Sequence, residues 1–183
     1  MASDFSIRYA AQQIKHGGVI AYPTDTIYGL GCDPYNIFAI ENLNLIKQRP
    51  QNKQFILLAG HFDQIKPLTT ITRAQKSQIE KASEPTSWVV EASGAAPMWL
   101  TNKDNTLTIR ICQNDIVKKL CATLGHALIS TSANISSKQP AKNNLEIRRY
   151  FGNMLNHVLA SNKKLTAKPS KIIRLCDNHI IRN

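Results

Sequence analysis

The chain has 183 residues, 43% of them apolar, and its 23 Lys and Arg residues outnumber its 12 Asp and Glu residues, giving a formal net charge of +11. This apolar content excludes a disordered chain, and the longest apolar run, residues 55–59, is far shorter than the roughly 20 residues that a transmembrane helix needs. The amino terminus lacks the basic start and apolar core of a secretory signal, and the four cysteines show no metal-binding spacing. We therefore expect a cytoplasmic protein with reduced thiols and no membrane association, folded as one domain over residues 1–183.

The positive charge is concentrated in the second half of the chain. Residues 1–100 contain 9 basic and 8 acidic residues, whereas residues 101–183 contain 14 basic and 4 acidic residues. Such a surplus is typical of proteins that bind nucleic acid, a phosphorylated small molecule or an acidic protein surface. Charge alone leaves these three classes of partner open.

The first predicted elements are a helix, a strand and a polar loop. Ser3 is a typical helix-capping residue, and the apolar residues after it recur at helical spacing until the glycine pair at 17–18. Residues 19–22 form an apolar run typical of a buried strand, which we expect to stop at Pro23. Residues 24–31 combine hydroxyls, one carboxylate and two glycines, and we predict a loop there.

Five further elements are predicted in the middle of the chain. A helix capped near Asn36 ends before Pro50, and residues 54–59 form a second buried strand. A polar helix at the surface is expected over residues 72–83. Two strands rich in β-branched residues follow, at 86–91 and 106–111.

The last third of the chain again mixes helices and strands. Asn114 caps a helix that Gly125 closes, a strand follows at 127–130, and residues 131–137 form a polar loop. The final predicted elements are a helix at 144–151, a strand near Val158 and a hairpin around 177–178. Because helices and strands alternate without an internal repeat, we predict an α/β fold with a mixed sheet.

The first candidate site lies in residues 22–31, where a buried strand leads into polar residues. Ligands of α/β proteins commonly bind at such strand ends. The segment lacks the glycine and lysine spacing of a phosphate loop and the glycine spacing of a dinucleotide fingerprint. An ordinary turn is the alternative interpretation.

The second candidate site consists of Lys47 and Arg49, at the predicted end of a helix. Basic residues at an exposed helix end interact favourably with the helix dipole, which is the structural interpretation. The functional interpretation is an anion clamp, in which lysine supplies a point charge and arginine a planar two-pronged donor for phosphate. The sequence pattern leaves both interpretations open.

The third candidate site is the polar segment 130–134, which follows a predicted strand. Its hydroxyls and the carboxamide of Asn134 can hold a nucleotide or an amino acid, and Arg110, one strand earlier, can pair with a carboxylate. A polar turn is the alternative. The five histidines are scattered and the cysteines lack a catalytic context, so the sequence favours chemistry that depends on positioning and positive charge.

Together these segments resemble the YrdC/TsaC family of threonylcarbamoyl-AMP synthases. The similarity rests on YPTDTIYGLGCD at 22–33, the KxR pattern within 45–53, ILLA at 56–59, LTIRI at 107–111 and ISTSANIS at 129–136. The resemblance implies an open, twisted mixed α/β sheet around a large concave basic surface. It also implies a nucleotidyltransferase that converts L-threonine, bicarbonate or carbon dioxide, and ATP with Mg²⁺ into threonylcarbamoyl-AMP and pyrophosphate.

Residue roles follow from the same resemblance. ATP-binding roles fall on Lys47, Arg49, Ser132 and Asn134, of which Lys47 and Arg49 are also expected to be catalytic; threonine-binding roles fall on Thr24, Arg110, Thr131 and Ser170. No metal ligand from the protein is implied. The chain departs from the family pattern at Glu84, Ser137 and Lys171.

The product of this family serves the threonylcarbamoyl modification of adenosine at position 37 of tRNAs, which implies a functional link to the transfer machinery. One alternative is an RNA-binding module of the same fold without synthase activity, with weak RNA or tRNA binding through the basic second half. Another is a non-catalytic binder of a small ligand.

Overall fold

A computed structural model of the protein describes residues 2–49, 54–136, 138–160, 165 and 169–183. Its α-helices are α1 (Asp4–Lys15), α2 (Ile37–Lys47), α3 (Arg73–Glu80), α4 (Asp115–Leu124) and α5 (Asn144–Phe151). Its strands are β1 (Ile20–Pro23), β2 (Tyr28–Gly31), β3 (Ile56–Ala59), β4 (Thr86–Glu91), β5 (Thr106–Ile111), β6 (Leu128–Ser132), β7 (His157–Val158), β8 (Lys171–Arg174) and β9 (Ile180–Arg182). Among the described residues, no helix combines the length and the apolar composition needed to cross a membrane.

The nine strands within the described residues join one mixed sheet in the order β7-β1-β2-β6-β3-β5-β4-β8-β9. The pairs β1–β7, β3–β5 and β4–β8 are parallel, and the remaining neighbours are antiparallel. The prediction of a mixed α/β sheet is therefore confirmed. Strands from both ends of the chain lie side by side, so residues distant in sequence meet on one surface.

The predicted helix caps are confirmed. Ser3 Oγ accepts the backbone N–H of Ser6, which satisfies one of the free donors in the first turn of α1. Asn36 and Asn114 cap α2 and α4 in the same way. The left-handed backbone at Gly125, with φ of 87°, ends α4 where the sequence predicts.

The segment predicted as a loop at 24–31 contains a strand, and that prediction is wrong. Residues 28–31 form β2, which pairs with both β1 and β6. Gly31 allows this close approach, because a Cβ atom there would lie 2.3 Å from the backbone oxygen of Ile129. The two glycines serve strand packing rather than loop freedom. Pro23 is the last residue of β1, so the strand ends there as predicted.

The polar loop predicted at 131–137 begins later than expected. Thr131 and Ser132 belong to β6 and pair with Leu30 and Gly29 of β2. Pro50 and Ser137, which the sequence analysis singled out, lie outside the described residues.

The two faces of the sheet are covered differently. One face packs on a core that includes residues of α2, α3 and α5, whereas part of the other face packs on α1 and α4, with Leu58 and Leu128 among its core residues. Ile56 pairs with both Thr108 and Ser130, so these three residues share the face of Leu58 two positions along β3. There the face lines a cavity, which contains the candidate site.

Candidate active site

The cavity on this face has a volume of about 430 Å³ and is open to solvent. Its lining includes every site residue predicted from the sequence: Thr24, Lys47, Arg49, Arg110, Thr131, Ser132, Asn134 and Ser170. These residues come from β5, β6 and the loop after it, the β1–β2 connection, the end of α2 and the segment before β8. The sheet order therefore assembles one site from five distant parts of the chain.

Lys47 is buried at the end of α2, whereas the helix-dipole interpretation assumes an exposed helix end. Only 3% of Lys47 is exposed. Its ammonium donates to the backbone oxygen of Ser132 and, at 2.8 Å, to that of Asn134, and it lies 3.4 Å from Asn134 Oδ1. The expectation of exposure is wrong because the loop after β6 folds back over the lysine. The Lys47 ammonium therefore stabilises the loop after β6 and also forms part of the cavity wall.

The loop after β6 is closed by its own polar groups. Ser132 Oγ donates to Asn134 Oδ1 over 2.5 Å, and Asn134 Nδ2 donates to the backbone oxygens of Ile135 and Lys138. The backbone N–H of Ser136 donates to the backbone oxygen of Lys47 over 3.0 Å. Lys47 thus binds this loop through both its side chain and its main chain.

Arg49 lies beside this loop at the cavity wall. Its guanidinium donates to Thr131 Oγ1 over 3.3 Å and to the backbone oxygen of Gln54 over 3.1 Å, and it stacks 4.2 Å from the centre of the Phe55 ring. Burial lowers the pKa of Arg49 to about 10, so the side chain remains charged at neutral pH. A stacked, hydrogen-bonded guanidinium is held ready to bind an anion.

Thr24 shapes the turn between β1 and β2. Its hydroxyl donates to the backbone oxygen of Ile27 over 2.7 Å and accepts the backbone N–H groups of Thr26 and Ile27. The Thr24 and Thr26 hydroxyls lie 3.0 Å apart. The Thr24 side chain therefore satisfies backbone hydrogen-bonding groups of a tight turn, and the residue also lines the cavity.

Arg110 projects from β5 and is 5% exposed. It donates to Asp25 Oδ1 and, over 3.3 Å, to Thr26 Oγ1, whereas its Nε is buried with no hydrogen-bond partner among the described residues. Burial lowers the pKa of Arg110. The sequence predicts that Arg110 pairs with a carboxylate, and in the structure it pairs with one from the protein itself. The carboxylate of Asp25 is visible in the 24–31 segment, but no local pattern identifies Arg110 as its partner.

Arg182 lines the cavity, and no prediction from the sequence included it. It donates from Nε and Nη2 to the backbone oxygen of Ser170, over 3.2 and 2.8 Å, while Ser170 Oγ lies 2.8 Å from Ser87 Oγ of β4. Ser170 and Arg182 both line the cavity. Only the pairing of β8 with β4 and β9 brings them there, and no local motif marks Arg182.

Two departures from the family pattern compensate each other. The Lys171 ammonium lies 2.5 Å from a carboxylate oxygen of Glu84, and the backbone N–H of Lys171 donates to the oxygen of Pro85. Both charged side chains are partly exposed. The pair joins the segment before β4 to the start of β8, directly beside Ser170.

Metal-binding side chains do not gather in the part of the chain that the structure describes. No group of three or more His, Cys, Asp or Glu residues there is arranged to hold a metal ion. The site offers instead hydroxyls, the carboxamides of Gln54 and Asn134, and several cations. Such a set suits anionic ligands and the binding of a metal that arrives with phosphate.

Sequence comparisons identify close relatives along almost the whole chain. The chain is 41% identical over 171 residues to the threonylcarbamoyl-AMP synthase of Nitrosococcus oceani, covering 92% of each protein. It is 35% identical over 178 residues to the threonylcarbamoyl-AMP synthase of Cellvibrio japonicus, covering 96% of this chain and 94% of that protein.

Structural comparisons show the same fold. E. coli YciO matches with a TM-score of 0.88 at 24% identity, covering 99% of this chain and 90% of that chain. P. abyssi Sua5 complexed with L-threonine matches with a TM-score of 0.87 at 24% identity, covering 94% of this chain and 51% of that chain. A family model for Sua5/YciO/YrdC proteins, described as "Telomere recombination", matches residues 12–183. The resemblance seen in the sequence motifs is confirmed, and the chain belongs to the Sua5/YciO/YrdC family.

Proposed function

We propose that this protein is a threonylcarbamoyl-AMP synthase, a nucleotidyltransferase that uses L-threonine, bicarbonate or carbon dioxide, and ATP. The observation that carries the proposal is the assembly of all eight predicted site residues around one cavity. Relatives that share 41% and 35% of their residues with this chain over nearly its whole length carry the same name. No observation favours an RNA-binding module without synthase activity.

The proposed reaction needs little proton transfer from the protein. The threonine amine adds to carbon dioxide and loses a proton, giving a carbamate. A carbamate oxygen then attacks the α-phosphorus of ATP, the bond from that phosphorus to the bridging oxygen breaks, and pyrophosphate leaves with the bonding electrons. Because a carboxylate-type nucleophile is already charged, binding and charge stabilisation supply the catalysis.

The cationic end of the cavity fits the ATP side of this reaction. Arg49 is stacked and oriented at the wall, and Lys47 holds the loop that carries Ser132 and Asn134. Charge grows on the leaving pyrophosphate, and nearby cations lower the free energy of that state. Magnesium enters in this proposal as part of the MgATP substrate, bound to phosphate oxygens.

The other end of the cavity fits threonine. Arg110 offers a guanidinium for the carboxylate, and Thr131 and Ser170 offer hydroxyls. Thr24 lines this end and shapes the turn, with its hydroxyl bound to the backbone of Thr26 and Ile27. P. abyssi Sua5, which has the same fold, is described in complex with L-threonine. We assign threonine to this end because Arg110 and Thr24 lie together beside the β1–β2 turn.

We further propose that the product supplies the tRNA threonylcarbamoyl-transfer machinery and that the protein acts in the cytoplasm. All four cysteines are free thiols, as expected for a reducing compartment. The basic second half is expected to bind RNA weakly, as a property separate from synthesis.

A pyrophosphate-release assay tests the proposed function. Purified protein with ATP and Mg²⁺ is expected to release pyrophosphate only when both L-threonine and bicarbonate are present, and without tRNA. Mass spectrometry of the same reaction should detect threonylcarbamoyl-AMP, and Arg49→Ala protein from a parallel preparation controls for contaminating ATPases. Release that ignores threonine, or that needs tRNA, would overturn the proposal.

A further inference from the structure

Asp25 accepts three contacts from the end of β5 and the residues just after it. Its Oδ1 accepts from Arg110 Nη2 and, over 3.2 Å, from the Cys112 thiol. Its Oδ2 accepts the backbone N–H of Gln113 over 3.4 Å. Both carboxylate oxygens are therefore used, and the plane of the carboxylate is set by β5 and the residues that follow it.

Asp25 does not line the cavity that contains the predicted site residues. It lines a second cavity, also of about 430 Å³, on the far side of the ion pair, together with residues such as Phe62, Trp88 and Lys118. Arg110 lines the first cavity. The Asp25 carboxylate therefore contacts Arg110 from outside the first cavity. It can affect a ligand in that cavity only by changing the position of Arg110.

The same contacts connect the two parts of the proposed threonine site. Asp25 stands next to Thr24 in the β1–β2 turn, and the Asn114 side chain donates to the backbone oxygen of Thr24 over 3.1 Å. Arg110 also donates to Thr26 Oγ1. Among these contacts, the Arg110–Asp25 pair alone joins two opposite charges, so it dominates the docking of the turn on β5.

A buried guanidinium needs a fixed counter-ion to keep one orientation. Arg110 is 95% buried, since its exposed fraction is 5%, and desolvating an unpaired charge is costly. The carboxylate offsets that cost and takes one Nη2 donor, which sets the plane of the guanidinium. The remaining donors then point in directions that the protein determines before the ligand arrives.

We propose that Asp25 is a positioning residue for threonine binding, which holds Arg110 in the orientation that receives the threonine carboxylate. This inference rests on the proposed function and adds a residue to the threonine site. Asp25 makes no contact with threonine in this arrangement. Its loss is expected to affect threonine and to spare ATP, because Lys47 and Arg49 are held by other groups.

The first test is Asp25→Asn, which keeps the shape and one acceptor oxygen but removes the charge. We expect the KM for threonine to rise about tenfold, as for loss of a charge-assisted hydrogen bond, while kcat and the KM for ATP change less than about twofold. Asp33→Asn is the matched control, because Asp33 Oδ1 binds the backbone N–H of Tyr35 and the residue lines neither cavity. Calorimetry with threonine alone should show the same tenfold loss of affinity.

A second pair of variants acts through the thiol. Cys112→Ala removes one donor to Asp25, and we expect a threonine-specific rise in KM of about threefold; Cys112→Ser keeps a donor and should restore the wild-type value. This rescue separates positioning from general destabilisation, and it remains informative if Asp25→Asn fails to fold.

Three outcomes would overturn the inference: an unchanged threonine KM in Asp25→Asn, equal rises for threonine and ATP, or Cys112→Ser behaving like Cys112→Ala. A wild-type protein that ignores threonine would instead contradict the proposed function itself, so the two failures are distinguishable.

Discussion

The Lys47 ammonium lies 2.8 Å from the backbone oxygen of Asn134, within a side chain that is 3% exposed. The same ammonium binds the backbone oxygen of Ser132. A charge buried against carbonyl oxygens stabilises the loop that carries the proposed ATP-binding groups. Lys47 therefore supplies positive charge to the proposed ATP site and also stabilises the loop beside it. Its replacement should affect both activity and stability.

Replacing Lys47 by alanine is expected to lower both stability and activity. The change removes the cation that donates to the partly buried backbone oxygens of Ser132 and Asn134, and we expect a loss of about 2–4 kcal/mol in the free energy of unfolding. Urea denaturation measures this loss. Lys15→Ala is the control, because Lys15 is exposed in the last turn of α1 and should change stability by about 0.5 kcal/mol or less. Equal small effects in both variants would contradict the structural role of Lys47.

Replacing Arg49 by alanine is expected to reduce activity with little loss of stability. Arg49 is only partly buried at the cavity wall, where its described contacts include a hydroxyl, a backbone oxygen and the Phe55 ring, so we expect the free energy of unfolding to change by about 1 kcal/mol or less. We expect kcat/KM for ATP to fall between about tenfold and a hundredfold, because a charge-assisted contact to phosphate is lost. Steady-state kinetics measure the loss of activity, and thermal melts measure the change in stability. Arg49→Lys should have an intermediate kcat/KM, since it keeps the positive charge but loses the two-pronged donor geometry of arginine.

Thiol reactivity should single out Cys176 in the folded protein. Burial raises the pKa of Cys32 and Cys121 to about 12 and also raises that of Cys112, whereas Cys176 is exposed. Thiolates are the reactive form, so at pH 8 the three buried thiols should stay unmodified. Mass spectrometry after brief alkylation should find one adduct, and four after unfolding in urea. More than one adduct on the folded protein would contradict the burial.

Charge reversal should reveal coupling between Glu84 and Lys171. Glu84→Lys and Lys171→Glu should each destabilise the protein slightly, and the double variant should recover most of the loss. Because both side chains are partly exposed, we expect a coupling of about 0.5 kcal/mol, which 1 M salt should weaken. A double-mutant cycle of urea denaturation measures it, and strictly additive losses would show that the pair contributes nothing.

RNA retention should depend on exposed arginines and not on the cavity. Arg148 and Arg149 are exposed in the last turn of α5. Their replacement by glutamine should weaken salt-sensitive retention of RNA on a filter, because fewer counterions are released. Pyrophosphate release from ATP and threonine should stay nearly unchanged. A parallel loss of both activities would link RNA binding to the site.

Much of the local structure could be predicted from neighbouring residues. Helix caps depend on a side chain and an N–H two or three positions away, so Ser3, Asn36 and Asn114 marked the starts of their helices. Parts of the candidate site were also visible as short segments, since Lys47 and Arg49, or the polar residues 130–134, lie close together along the chain. These features depend on interactions between residues that are close together in the sequence, so the sequence alone can predict them.

The contacts that give the site its geometry have no such local cause. Arg110 and Asp25 are 85 positions apart, and Lys47 and Asn134 are 87 apart, so their pairing depends on the order of strands in the sheet. From the sequence alone, Gly29 and Gly31 are predicted to be loop residues. In the structure they belong to β2, which pairs closely with β6. Arg182 reaches the cavity only because β9 pairs with β8. Burial and ion pairing are properties of surfaces brought together by folding, and periodicity along a chain does not encode which surfaces meet.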